Sequence, residues 1–119
     1  MITTTAITAV ELAELIDKAA AVIARNGLAK RYLYDTRQAD TGLPLDQCRV
    51  DIIGALNVAA HGTPRYATSR IVYAAERALE QRIEHASIVT WVDQTGRDAD
   101  DAIVLLKTVA AELRTEAAI

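Results

Sequence analysis

Along residues 12–23, Leu12, Leu15, Ile16, Ala19, Val22 and Ile23 recur at three- and four-residue steps, and Glu11, Glu14, Asp17, Lys18 and Arg25 fall on or near the other side. Such a stripe lies along one face of a helix with 3.6 residues per turn and has no face in a strand. Thr8-Ala9-Val10-Glu11 supplies a capping box: hydroxyl and carboxylate together satisfy the free amides of a first turn. Asn26-Gly27 supplies the exit. A helix over 8–26 is therefore predicted, and the same spacing rule applies to the rest of the chain.

Asp46 reads as the cap of a second helix running to about His61. Its apolar residues Val50, Ile52, Ile53, Ala55, Leu56, Val58, Ala59 and Ala60 go almost all round, which marks a buried central helix. Gly54 within it costs about 1 kcal/mol relative to Ala, and close approach by a neighbouring helix is the expected return. Gly62-Thr63-Pro64 ends this helix and opens the next, since Pro suits a first helical position. A third runs to about Glu84, starting as late as Thr68 or Ser69, with Ile71, Val72, Ala75, Leu79 and Ile83 as its inner stripe. Asp98, with Asp101 three residues on, caps a last helix in which Ile103, Leu106, Val109, Ala110 and Leu113 face inward and Val104 and Leu105 widen the apolar face. Residues 28–46 and 85–96 break the pattern, and Ile88-Val89-Thr90-Trp91-Val92 reads as extended or as a poor turn. The expected fold is all-α: one domain over 1–119, an array or bundle of about four helices with two irregular connections, and flexible ends at 1–7 and 115–119. With 119 residues, two separate cores would each be small.

Composition sharpens this. There is no Phe, one Trp and four Tyr, so the core is built from Ala, Ile, Leu and Val. A net charge of −3 with both signs interspersed disfavours broad nucleic-acid binding. Cys48 is the only cysteine, which rules out an internal disulfide and a thiolate metal cage. His61 and His85 form no H-x-x-H or H-x-x-x-H pair, there is no glycine-rich phosphate loop, and no metal or cofactor is expected. No apolar run approaches the roughly 18 residues that span a bilayer, and the first residues carry no signal-like pattern, so a cytoplasmic, membrane-free setting is expected.

Three groups of residues invite chemistry. Cys48 near a helix start would have its thiolate favoured by the dipole, but His61 lies roughly 20 Å along the same predicted helix, and a packed core cysteine is the simpler reading; His85 stays open as a partner. In Trp91-Val92-Asp93-Gln94-Thr95-Gly96-Arg97, Asp93 and Arg97 could orient a small polar ligand against Trp91. Structurally, Trp91 would plug the bundle, Asp93 would tie down loop amides, and Gly96 would take a positive φ. Tyr66, Arg70, Tyr73 and Arg77 share one face of the third helix, a pattern that suits a protein partner or, with the Gly62-Thr63-Pro64 turn, a helix-turn-helix on DNA; Glu76, Glu80 and Glu84 oppose the second.

These blocks resemble a group of small actinobacterial and phage proteins known as a domain of unknown function, number 6197. The resemblance is carried by the amphipathic opening helix ending at Gly27, by Cys48 with Gly54-Ala55-Leu56 and Ala59, and by Trp91, Asp93, Gly96 and Arg97 before a final helix. Where the family often has Trp-Asn-Asp, this chain has Trp91-Val92-Asp93, and Cys48 stands further from Gly54 than in the family pattern. The resemblance implies a helical fold and a bacterial cytoplasm and carries no activity.

The leading expectation is an accessory or protein-interaction module, with an unknown protein partner or a homodimer, that uses Tyr66, Arg70, Tyr73 and Arg77 or the Trp91 loop. The alternative is a small enzyme or ligand-binding protein that uses Asp93, Arg97, Cys48 and Tyr34, which would have to converge on one pocket. The third is a DNA-binding module on the Tyr66–Arg77 face.

Overall fold

The computed structural model describes residues 6–66, 68–83, 87–94 and 96–118. Among the described residues six helices follow one another: α1 (Ala9–Asn26), α2 (Thr36–Asp40), α3 (Ile52–His61), α4 (Arg70–Glu80), α5 (Ile88–Asp93) and α6 (Ala99–Ala117), with a 3-10 turn at Leu45–Gln47. The fold is all-α, as the spacing implied.

α1 forms as expected. Thr8 Oγ1 accepts the Glu11 amide at 3.1 Å, the Glu11 carboxylate accepts the Thr8 amide, and Gly27 leaves at φ 96° with its amide donated to Ile23 O. Its buried face runs through Ala13, Leu15, Ile16, Ala19, Ala20, Val22 and Ile23, because α1 packs against α6, α3 and α4. α6 carries the expected Asp98–Asp101 capping box, and it buries Ala102, Leu106, Val109, Ala110 and Leu113 against α1. Leu12 near the start of α1 and Leu113 near the end of α6 line one groove, Arg114 of α6 pairs with Asp17, and Arg82 just after α4 bridges Glu112 and Glu116. Val104 is 64 % exposed, so the apolar face of α6 is narrower than its sequence suggests.

Three expectations are corrected. The second helix does not start at Asp46. Residues 48–51 are extended, because the backbone on both sides of Val50 is claimed by the loop after α1: Ala29 donates to Val50 O, Val50 to Gly27 O, Asp35 to Arg49 O and Asp51 to Leu33 O. Leu28 and Tyr34 each form an isolated bridge with Val50. Only after Asp51, whose carboxylate accepts the Gly54 amide at 2.6 Å, can α3 begin. Second, α4 ends at Glu80, short of Glu84, and Pro64 does not open it: Pro64 and Tyr66 both precede the helix that Ser69 caps through Val72. Third, Ile88–Asp93 is helical. Its β-branched residues disfavour a free helix, but Ser87 caps it, Glu80 accepts the Ile88 amide, and Ile88, Trp91 and Val92 drop onto the core at helical spacing. Glu84 and His85 lie outside the described residues, as do 1–5 of the proposed flexible start.

Candidate functional site

The Trp91–Arg97 corner is built inward. Trp91 is buried, and the Arg97 guanidinium lies 4.0 Å over its ring, a favourable cation–aromatic placement. Arg97 also donates to Trp91 O at 3.2 Å and to Gln94 Oε1 at 2.9 Å. Gly96 has φ 90°, the turn geometry expected of it. Asp93 Oδ1 accepts the amide of Arg31, and Lys30 donates to Gln94 O. Arg31 is the one described non-glycine residue with positive φ, 76°. The Asp93 bond thus holds the 28–35 loop in an uncommon backbone state against the end of α5. Trp91 and Arg97 line a shallow groove with Val104 and Leu105 of α6, and Asp93, Cys48 and Tyr34 do not reach it.

Cys48 is fully buried and precedes the α3 cap instead of sitting in the helix. Its Sγ faces Pro44 O at 3.5 Å and Leu43 O at 3.8 Å. Burial, with help from Asp35 and Asp46, pushes its thiol pKa up, the opposite of an activated thiol. Tyr34 is half-buried where its backbone meets Val50.

The α4 face is different. Arg70, Tyr73 and Arg77 line one surface groove of about 770 Å³, with Leu12 of α1 and Leu113 of α6 also in its wall. Tyr73 is 55 % exposed. Tyr66 does not join this groove. It stacks on His61 with ring centroids 3.6 Å apart, while His61 Nε2 meets Ser69 Oγ at 2.8 Å, which ties the end of α3 to the start of α4.

Sequence reading passed over three polar residues that the fold withdraws from solvent, Asp51, Asn57 and Glu76, of which the last two line a small cavity with Tyr73. Asp51 is buried, and its carboxyl is pushed up to about 6 by burial; the Gly54 amide opposes this, and Asp93 and Glu76 add to it. Glu76 is half-buried and also raised, by burial and then by Glu80. Asn57 is 2 % exposed; its Nδ2 donates to Pro64 O at 2.9 Å, and its Oδ1 is buried with no hydrogen-bond partner among the described residues. Asn57 in an otherwise apolar helix was the one visible signal, since a buried amide needs partners. Asp51 could have been found from its three-residue offset to Gly54. Glu76 was hidden among the charges of α4. Among the described residues, no group of three or more His, Cys, Asp or Glu side chains could hold a metal ion.

A family model described as a family of unknown function (DUF6197) matches residues 8–112. No curated protein and no solved structure matches the chain.

Proposed function

Because the chain belongs to the DUF6197 family, a family of unknown function, its role has to be argued from its own surface, and we propose a single-domain, non-catalytic recognition protein that binds a partner protein along α4. One observation carries this reading: Arg70, Tyr73 and Arg77, separated by single helical turns, project into one groove whose wall is continued by Leu12 and Leu113. Tyrosine and arginine over an apolar floor are the residue types that concentrate binding energy at protein interfaces, and a groove between helices suits an inserted helix or strand. In contrast, the polar groups nominated for chemistry are engaged in holding the fold: Asp93 on the Arg31 amide, Arg97 on Trp91, Cys48 beneath two carbonyls.

Nucleic acid fits the same face poorly. Glu76, Glu80 and Glu116 line the groove beside the arginines, and residues 62–69 between α3 and α4 exceed the three- or four-residue turn of a helix-turn-helix. No described helix is long and apolar enough to cross a membrane. A bacterial cytoplasm is part of the proposal and rests on the family resemblance.

A photo-crosslinking residue placed at Gln81, exposed on the groove wall, tests the reading, with one at Glu14 on α1 as the control position. Discrete protein adducts from position 81 and not from 14 are expected in extracts of the native host. If purified protein alone gives the same adduct, the partner is a second copy of this chain. Equal labelling from both positions, or none from 81, overturns the proposal.

A further inference from the structure

Arg70 and Arg77 stand seven residues apart on α4, so two helical turns, roughly 10.5 Å, separate them. Both are exposed in the groove that α4 lines with Leu12 of α1 and Leu113 of α6, and neither forms an ion pair among the described residues. We infer that the partner enters this groove as an amphipathic helix with two carboxylates two turns apart on one face and aliphatic side chains between them. The inference deepens the recognition reading and rests on it.

The sign of the charge follows from which groups are already engaged. Arg82, the third cation of the groove, is held by Glu112 and Glu116. Glu80 accepts the Ile88 amide, and Glu76 is half-buried. Two outward guanidinium groups are left, and an approaching partner meets them first. A cationic helix would be repelled by both. A pair of carboxylates gives each one a charge-assisted contact and fixes the register of the two helices.

The spacing selects the element. On one face of an extended strand, side chains recur at about 6.7 and 13 Å, which straddles the arginine separation. On a helix, positions i and i+7 repeat it. Between the arginines lies half-buried Ala74, with Leu12 and Leu113 in the same groove. Its methyl group leaves room for the leucine or isoleucine that such a helix carries one turn after its first carboxylate. The same spacing separates a protein from a nucleic acid. A polyanion with a charge about every 1.7 Å would also meet Glu76 and Glu80, whereas two discrete carboxylates meet the arginines alone.

Dye-labelled, blocked, Ala-rich peptides of about 20 residues, long enough to hold a helix, test this by fluorescence anisotropy on the full chain. The acidic probe carries Glu at i and i+7 and Leu at i+3 and i+4. It should bind at least about tenfold more tightly than the same peptide with Gln for Glu, the combined effect of two surface ion pairs. Added salt should shrink this preference. Arg70→Gln/Arg77→Gln should abolish it, and Arg70→Lys/Arg77→Lys should retain most of it. Moving the second glutamate to i+5, off the shared face, should remove most of it as well.

Equal affinity for the Glu and Gln peptides, tighter binding of a Lys counterpart, or no binding of the acidic probe would overturn the inference. So would a preference that survives Arg70→Gln/Arg77→Gln or the shift to i+5. Displacement of the acidic probe by duplex DNA at equal concentration would assign the face to nucleic acid and overturn it too. Adducts from Gln81 without an acidic preference sink this inference and leave the recognition reading standing, whereas absence of adducts overturns the reading itself.

Discussion

A methyl group built at Gly54 would lie 2.0 Å from the carbonyl oxygen of Leu33. The first turn of α3 is crossed at touching distance by the backbone of the 28–35 loop, which also accepts the Asp51 amide through that same oxygen. The close approach comes from a loop and not from a neighbouring helix. Gly54→Ala, normally favourable by about 1 kcal/mol in a helix, should here destabilise by about 3 kcal/mol or more, because the atom in the way is backbone. Chemical denaturation measures it. A variant as stable as the parent would mean that the loop does not cross α3 at this distance.

Asp51 makes stability depend on pH in an unusual direction for a carboxylate. Its pKa rises from 3.8 to about 6 on folding, so the folded state binds the extra proton between these values and stability falls as pH rises through that window. Roughly two units correspond to about 3 kcal/mol, absent below pH 4 and complete above pH 6. Asp51→Asn keeps a capping oxygen for Gly54 and removes the charge. It should be more stable than the parent at pH 8 by up to about 3 kcal/mol and close to it at pH 4. Thermal unfolding at the two pH values decides, and a pH-independent difference would contradict the assignment.

Cys48 should resist thiol reagents in the native protein. With the sulfur fully buried and its pKa raised by burial, alkylation at neutral pH has to wait for opening of the 43–51 segment. Mass spectrometry should show a labelling rate that rises steeply with denaturant. Rapid labelling without denaturant would refute the burial.

Arg97 acts as a clamp on Trp91. Arg97→Ala removes the ring contact and two hydrogen bonds and should cost about 1–2 kcal/mol, whereas Trp91→Ala, which empties a core site, should cost about 3–5 kcal/mol. Arg97→Lys keeps the charge but not the planar fork, and should fall between Arg97→Ala and the parent. A double-mutant cycle with no coupling between the two positions would remove the clamp.

The parts of the fold that could be read from the chain are those fixed by local chemistry. The Thr8–Glu11 and Asp98–Asp101 boxes and the stripes of α1 and α6 depend on residues within a few positions of each other. The start of α3 could not be read this way: whether Asp46 or Asp51 caps it depends on Gly27, Leu33 and Asp35 claiming the backbone around Val50, contacts made across the chain. The same holds for α5, where burial of Ile88, Trp91 and Val92 outweighs local preference. At the candidate site, Arg70, Tyr73 and Arg77 were visible from helical spacing. Tyr66 was misplaced because the helix begins after it, and the Asn57 cavity emerges only where α3, α4 and the 28–35 loop meet.

The central claim is that the α4 groove recognises a partner while the rest of the molecule serves as scaffold. Crosslinking from Gln81 in the Arg70→Ala/Arg77→Ala double variant tests it most directly, with the melting temperature measured on the same preparation. Both arginines are exposed, so the account predicts loss of the adducts with a melting temperature within about 4 °C of the parent, since two exposed substitutions together change stability by no more than about 1 kcal/mol. Adducts that persist at full yield in a folded double variant would contradict it.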